Sequence, residues 1–453
     1  MSSEWRVAKI EEIAAPYSTA LATGPFGSAI SSKYFVDSGV PVIRGSNLSA
    51  DTSTRLIDAD LVFVSHEKAN EFQRSVAKRG DLVFTCWGTI NQVGLIDSRS
   101  KFDSYIVSNK QMKLTIDPVK ADHRFIYYVF SGPAKQNEIL ENGIGSSVPG
   151  FNLGQLKRHE ILLPPVQEQV RIADFLEAFD DRITLLRETN ATLESIAQAL
   201  FKSWFVDFDP VRAKAEGRQP EGMDATTAAL FPDSFEESEL GLVPKGWRVR
   251  AIGELVEGIY DGPHATPAES ADGPVFLGIK NLTGTSLDLS DIRHISESDW
   301  TQWTRRIEPR HGDIVFSYEA TLGFFALIPP GVRCCLGRRL ALVRPHAENG
   351  AGMFWFHQFI SAPFQQLLDK HTIHGATVNR IALKAFPSYP VLNPPEPLKS
   401  TFVDSVAPLW AAIHGNQAQA KTLTQLRDTL LPRLISGQLR LPEAEALVAE
   451  VAS

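Results

Sequence analysis

Near the end of the chain, Asn393-Pro394-Pro395-Glu396 invites a chemical reading. Amino-methyltransferases hold a target amine with an Asn-Pro-Pro-aromatic loop whose ring stacks on an extruded base. Here Glu396 takes the place of that ring, and the matching stretch earlier in the chain is Leu163-Pro164-Pro165-Val166. A strand-to-helix joint explains both, because proline cannot donate to a ladder and biases its predecessor away from helix. No glycine-rich cofactor loop follows a predicted strand, and no GxxxxGKS or GxxxxGKT loop offers a cradle for ATP. His264, His311, His357, His371 and His374 are scattered without ligand spacing. Cys86, Cys334 and Cys335 form no CxxC pair, so they read as buried thiols in a reducing compartment. Neither a catalytic residue nor a metal ligand nor a cofactor of its own is expected in this chain.

With 453 residues, 43% apolar and 22% charged, two or more domains are expected. The net charge of -8 argues at first against a nucleic-acid partner. The acidity is local, however. Residues 207–240 carry nine acids against three bases, and residues from Leu441 onward carry three acids and no base, so everything else is near neutral. Composition thus neither requires nor forbids DNA. The start, MSSEWRVAKIEEI, lacks a signal core, and no stretch approaches the roughly 18 apolar residues of a membrane span. A cytoplasmic protein without a membrane partner is expected.

The chain is written twice. WRVAKIEEI at Trp5 recurs as WRVRAIGEL at Trp247, GPFGS at Gly24 as GPHAT at Gly262, and GVPVIRGSNL at Gly39 as GPVFLGIKNL at Gly273. In the same order, RGDLVFT at Arg79 matches HGDIVFS at His311, GSSVPGFNLGQLK at Gly145 matches GATVNRIALK at Gly375, and LLPPVQEQ at Leu162 matches LNPPEPLK at Leu392. Short apolar runs broken by Gly, Pro, Asn and Asp predict a compact α+β domain in each half. The two Gly-Pro loops are either close backbone approaches to phosphate or a partner, or simple turns.

A long helix is predicted after each Pro-Pro. In the first, Leu176, Phe179, Ile183, Leu186, Asn190, Leu193, Ala197, Leu200 and Trp204 alternate three and four apart, the seam of a coiled coil. In the second the seam is Phe402, Val406, Leu409, Ile413, Asn416, Ala420, Leu423, Arg427, Leu430 and Leu434. Each seam carries one asparagine, four positions apart in the repeat frame. Parallel pairing would set each amide against an apolar residue, whereas antiparallel pairing about a two-fold near Glu188 and Ala418 brings Asn190 and Asn416 together. A buried amide needs a partner, and a mutual pair fixes register and orientation. The alternative is that each amide sits at a solvated margin. The expected architecture is α+β, two similar globular domains separated by a long antiparallel two-helix coiled coil, with pseudo-two-fold internal duplication. Residues 1–165 form the first domain, 166–206 the first spacer helix, 207–240 an acidic linker, 241–395 the second domain, 396–437 the second spacer helix and 438–453 a tail. Two readers held apart by such a rod suit a split site on double-stranded DNA.

LLPPVQEQVRIADFLEAFDDRI from Leu162, LFKSWFVDFDP from Leu200, LGLVPKGWRV from Leu240 and LLPRLISGQL from Leu430 carry a family resemblance. Over essentially its whole length the chain resembles the DNA specificity subunit of type I restriction-modification systems. The resemblance implies two target-recognition domains, each reading half of a bipartite site, and paired helices that hold two methyltransferase subunits. It also implies restriction/translocase subunits, with S-adenosylmethionine, ATP and Mg used by the partners for N6-adenine methylation and translocation. The second Pro-Pro departs from the pattern, since EPLKST replaces VQEQV and the Glu168-Gln169 pair has no counterpart.

Candidate DNA-contacting residues are polar or planar side chains on domain loops: Lys33, Arg44, Asn47, Trp87, Asn91 and Lys110 in the first half, and Lys280, Asn281, Tyr318, Arg338, Thr377, Asn379 and Arg380 in the second. Arg and Lys suit guanine edges or phosphates, and Asn suits adenine. Candidate helix-pairing residues are Leu186, Asn190, Leu193, Leu200, Ile413, Asn416, Leu423 and Leu430. Two other readings stay open: a protein scaffold without DNA specificity, and a self-contained methyltransferase.

Overall fold

The opening strand of each repeat pairs with the strand that precedes its Pro-Pro joint. In the computed structural model, which describes residues 5–145, 149–346 and 351–452, Arg6–Lys9 runs antiparallel to Glu160–Leu163, and Arg248–Ala251 antiparallel to Pro390–Asn393. Ser146 to Val148, inside one repeated motif, lie outside the described residues. The central sheet of the first half has the order Leu21–Thr23, Gln111–Thr115, Asp81–Thr85, Val93–Leu95. The second half repeats it as Val256–Asp261, Leu340–Pro345, Ile314–Ser317, Phe325–Leu327. Beside each lies a sheet with one parallel pair, Val40–Ile43 with Ser104–Val107 and Ser270–Leu277 with Cys334–Leu336.

Small residues fix the same close approaches in both copies. A Cβ on Gly24 would lie 1.9 Å from the carbonyl oxygen of Ser108, and one on Gly262 2.6 Å from that of Gly337. The Gly-Pro loops are therefore packed against the chain's own backbone, which explains their glycines without an external partner. A buried acid also recurs: Asp81 meets Lys113 at 3.2 Å, and Asp313 meets Arg344 at 2.6 Å. By strand register Arg344 stands opposite Asp313 as Thr115 does opposite Asp81, so the base has moved two residues along one strand face.

Two compact units result, Met1–Glu188 with Gln417–Ser453, and Thr189–Asn416. Both draw on the same two helices, α1 (Val166–Phe205) and α2 (Glu396–Ile435). In the first unit Leu176 and Phe179 share a core with Leu430 and Leu434, and Leu423 packs against it from the margin. Leu186 is buried. In the second unit Ala197, Phe201, Trp204, Phe402, Val406 and Ile413 share a core, with Leu193, Leu200 and Leu409 at its edge. The ring centroids of Phe201 and Phe402 are 5.4 Å apart. Pairing is antiparallel, and Asn416 Nδ2 donates to Asn190 Oδ1 at 2.8 Å within the second unit.

The seam arginine is the feature that periodicity does not explain. Arg427 is 2% exposed and donates to Asp180 at 2.7 Å, whose other oxygen accepts from the Tyr128 hydroxyl at 2.6 Å. Arg55 joins through Tyr128 at 3.1 Å and binds Asp97 and Glu177. Burial pushes the Asp180 carboxyl above the usual range, against the pull of Arg427.

Two segments differ from expectation. Residues 207–240 are a folded part of the second unit: Asp209–Ala215 and Ala225–Ala229 are helical, and Val211 and Phe231 are buried in its core. Apolar residues spaced through an acidic segment gave it a face to bury while the acids stayed in water. The tail likewise forms the helix Leu441–Ala452, with Leu439 and Ala444 buried in the first core. The departure after the second Pro-Pro has a structural cost. Glu168 accepts from the Trp5 indole at 3.0 Å, and Gln169 clasps the Asp122 amide and the Pro164 carbonyl. Leu398 and Lys399 occupy the matching places, and the buried Trp247 indole nitrogen has no partner among the described residues.

Replacing Asn190 by leucine removes the partner of the half-buried Asn416 amide and lowers stability by about 1 kcal/mol. Replacing both asparagines by leucine restores most of that loss, because no unpaired polar group remains. Urea melts of the two single variants and the double variant test this; losses that simply add in the double variant would show that the amides do not act as a pair.

Candidate nucleic-acid interface

In the first unit, three of the proposed readers meet. Arg44, Trp87 and Lys110 line one cleft of about 580 Å³, together with Phe35, Thr85 and Gln111 among others. Each is carried by a turn at the end of a strand: Arg44 after Val40–Ile43, Trp87 after Asp81–Thr85, and Lys110 before Gln111–Thr115. Trp87 is 48% exposed and lies against Gly150, where a Cβ would come within 2.6 Å of its ring. Arg44 holds the Asp60 carbonyl through Nη2 at 3.0 Å. Such a cleft presents a cation, hydrogen-bond donors and an exposed aromatic face, the groups that bind bases and phosphates.

Lys33 is exposed on the turn Ser32–Tyr34, with Nζ 4.6 Å from the centre of the Tyr34 ring, and Asn91 is half-buried; neither lines the cleft. Asn47 is buried rather than displayed on the loop surface as expected. It is 1% exposed, its oxygen accepts from the Arg44 amide, and its nitrogen donates to the Ile57 and Ala59 carbonyls. Asn281 repeats this in the second unit with Gly278, Asp288 and Asp291, so the Asn shared by the repeats is a loop-closing residue.

Tyr318 is also corrected. It stands at the position of Cys86, is 5% exposed and donates to the Arg338 carbonyl at 2.8 Å, and burial pushes its hydroxyl up to about 12. Glu319 is the residue in register with Trp87, and it bridges Arg380 as Trp87 bridges Gly150. Arg338, Thr377, Asn379 and Arg380 are exposed, whereas Lys280 is exposed but engaged with Asp291 at 2.6 Å. Sequence reasoning missed Thr85 and Gln111, which sit inside strands; the signal available was a polar Gln where the repeat has Leu340.

Among the described residues no group of three His, Cys, Asp or Glu side chains is placed to hold a metal, and no helix is long and apolar enough to cross a membrane. All three thiols are buried, and burial pushes each up to about 12, which favours the protonated thiol at neutral pH. Asn393 accepts from Lys399 at 3.1 Å at the strand-to-helix joint.

The chain is thus a duplicated α+β frame in which each unit packs on antiparallel segments of α1 and α2, with a polar cleft at the strand ends of the first unit. Residues 3–195 match the Type I restriction modification DNA specificity domain. It is 25% identical over 415 residues to the type I restriction enzyme MjaIX specificity subunit of Methanocaldococcus jannaschii, covering 88% of each chain. It is 25% identical over 384 residues to the HindI specificity subunit of Haemophilus influenzae, covering 74% of this chain and 82% of that one. Its fold is that of the crystallised type I S subunit of M. genitalium, with a TM-score of 0.54 at 14% identity over 96% and 97% of the two chains.

His357 yields a pH prediction. It is 1% exposed, accepts from the Trp410 indole at 3.1 Å, and burial lowers it from 6.5 to about 3. Between those values the unfolded chain binds a proton that the folded chain refuses, so stability falls as pH drops below about 6.5 and goes on falling toward about 3. His357→Gln keeps an acceptor that does not titrate, and urea midpoints measured from pH 7 to 4 should decline less steeply in that variant. Parallel declines would contradict the assignment.

Proposed function

We propose that this chain is the sequence-specific DNA-recognition subunit of a type I restriction-modification complex. Each domain reads one half of a bipartite site, and α1 and α2 set the gap between the halves and dock two methyltransferase subunits. The observation that carries this reading is the repeated frame on two helices whose antiparallel register is pinned by Asn190 and Asn416. Forty residues of α1 correspond to about 60 Å of helix, ample to span several base pairs.

The chain itself is non-catalytic in this reading. The methyltransferase subunits supply S-adenosylmethionine chemistry on adenine, and restriction/translocase subunits use ATP and Mg, all in the cytoplasm. Leu185 and Ile196, 52% and 50% exposed on α1, supply apolar surface for such subunits. The similarity to specificity subunits supports this reading over the scaffold and self-contained methyltransferase readings.

Sequencing methylated adenines in cells that carry the operon, with and without this gene, tests the proposal. A split motif that vanishes on deletion is expected. An unchanged methylome in an otherwise active system would refute it.

A further inference from the structure

Three polar atoms around the cleft of the first unit are buried without a hydrogen-bond partner among the described residues: Arg44 Nε, Thr85 Oγ1 and Gln111 Nε2. Thr85 and Gln111 are 2% and 1% exposed and face each other across the ladder. The Ser108 hydroxyl donates to the Gln111 amide oxygen, which leaves the amide nitrogen unspent. Buried groups left unpaired are costly, so their retention asks for a reason.

The fold itself does not demand them. In the second unit Leu340 and Ser317 take the register positions of Gln111 and Thr85, and Ser317 donates to the Thr321 carbonyl. Gly278 takes the place of Arg44, its amide bonded to Asn281 as that of Arg44 is to Asn47. One frame is thus closed at these positions in one copy and left with unspent polar groups in the other.

We infer that this cleft is a guanine-reading subsite, in which Arg44 and Gln111 donate to the base edge and Thr85 supports them. Guanine alone presents two adjacent acceptors, N7 and O6, in the major groove; adenine pairs an acceptor with a donor, and thymine an acceptor with a methyl. Phe35 and the exposed Trp87 give the cleft apolar walls, on which a planar base can stack, beside the Arg44 guanidinium, the Lys110 ammonium and the neutral Gln111 amide. The inference rests on the DNA-reading function proposed above.

The test reads the methylated motif in cells carrying the operon with the natural chain, with the pair Arg44→Gly and Gln111→Leu, and with Arg44→Lys. The pair installs the residues that the second copy holds in the same frame, and Arg44→Lys keeps the charge but loses the planar fork. Both variants should lose about tenfold or more of the discrimination at a guanine in one half of the motif, leaving the other half and the gap unchanged. Retention of that guanine, its absence from both halves of the natural motif, or uniform weakening of all sites with a shallower salt dependence would overturn the inference, the last in favour of a phosphate contact. If thermal melts show that the pair variant is unfolded, the Arg44→Lys motif decides. A natural chain that yields no split motif would instead sink the DNA-reading function itself.

Discussion

An amide set half-buried in a helix seam weakens the pairing unless it finds a hydrogen bond. Asn190 and Asn416 find each other at 2.8 Å, and only an antiparallel register lets them do so. Sliding either helix by one heptad would set both amides against apolar seam residues, Asn190 against Leu409 or Leu423 and Asn416 against Ile183 or Ala197. The apolar seam supplies attraction and the amides supply selection among registers. Both units then take their cores from a fixed pair of helices, Leu176 with Leu434 in one and Phe201 with Phe402 in the other.

On this base the two units keep a frame and vary what it carries. Asn47 and Asn281 close equivalent loops, Asp81 and Asp313 hold buried bases, and Gly24 and Gly262 admit the same close approach. At the strand ends the side chains diverge: Arg44 against Gly278, Trp87 against Glu319, Gln111 against Leu340. Structural invariance and chemical difference are thus separated by position along the strands. Asymmetry extends to the helix starts, where Trp5 has Glu168 but Trp247 lacks an equivalent acceptor among the described residues.

Legibility in the sequence followed the range of the forces involved. The seams were readable because helical periodicity is local, and the antiparallel choice because two asparagines could be compared across the repeat. Strand-to-helix joints were readable from Pro164-Pro165 and Pro394-Pro395. Candidate DNA-contacting residues are less so: Arg44, Trp87 and Lys110 converge, but Asn47 and Tyr318 are buried structural residues, and nothing local distinguishes a loop-closing asparagine from an exposed one. Gln111 was passed over because it lies in a strand. The Arg427–Asp180–Tyr128 network joins residues far apart in sequence, and the acidity of residues 207–240 masked the apolar positions that fold them onto the second core.

The division of the helices has a consequence for biosynthesis. Thr189–Asn416 is one unbroken stretch, whereas the first unit needs Gln417–Ser453 to supply Leu430, Leu431, Leu434, Leu439 and Ala444 to its core. On the ribosome the half made first is therefore finished last. Leu176 and Phe179 must wait, uncovered, through the synthesis of the whole second unit, and closure of so long a loop slows folding and exposes apolar surface to aggregation. Translation order thereby leaves the apolar surface of the first unit uncovered for longer than that of the second.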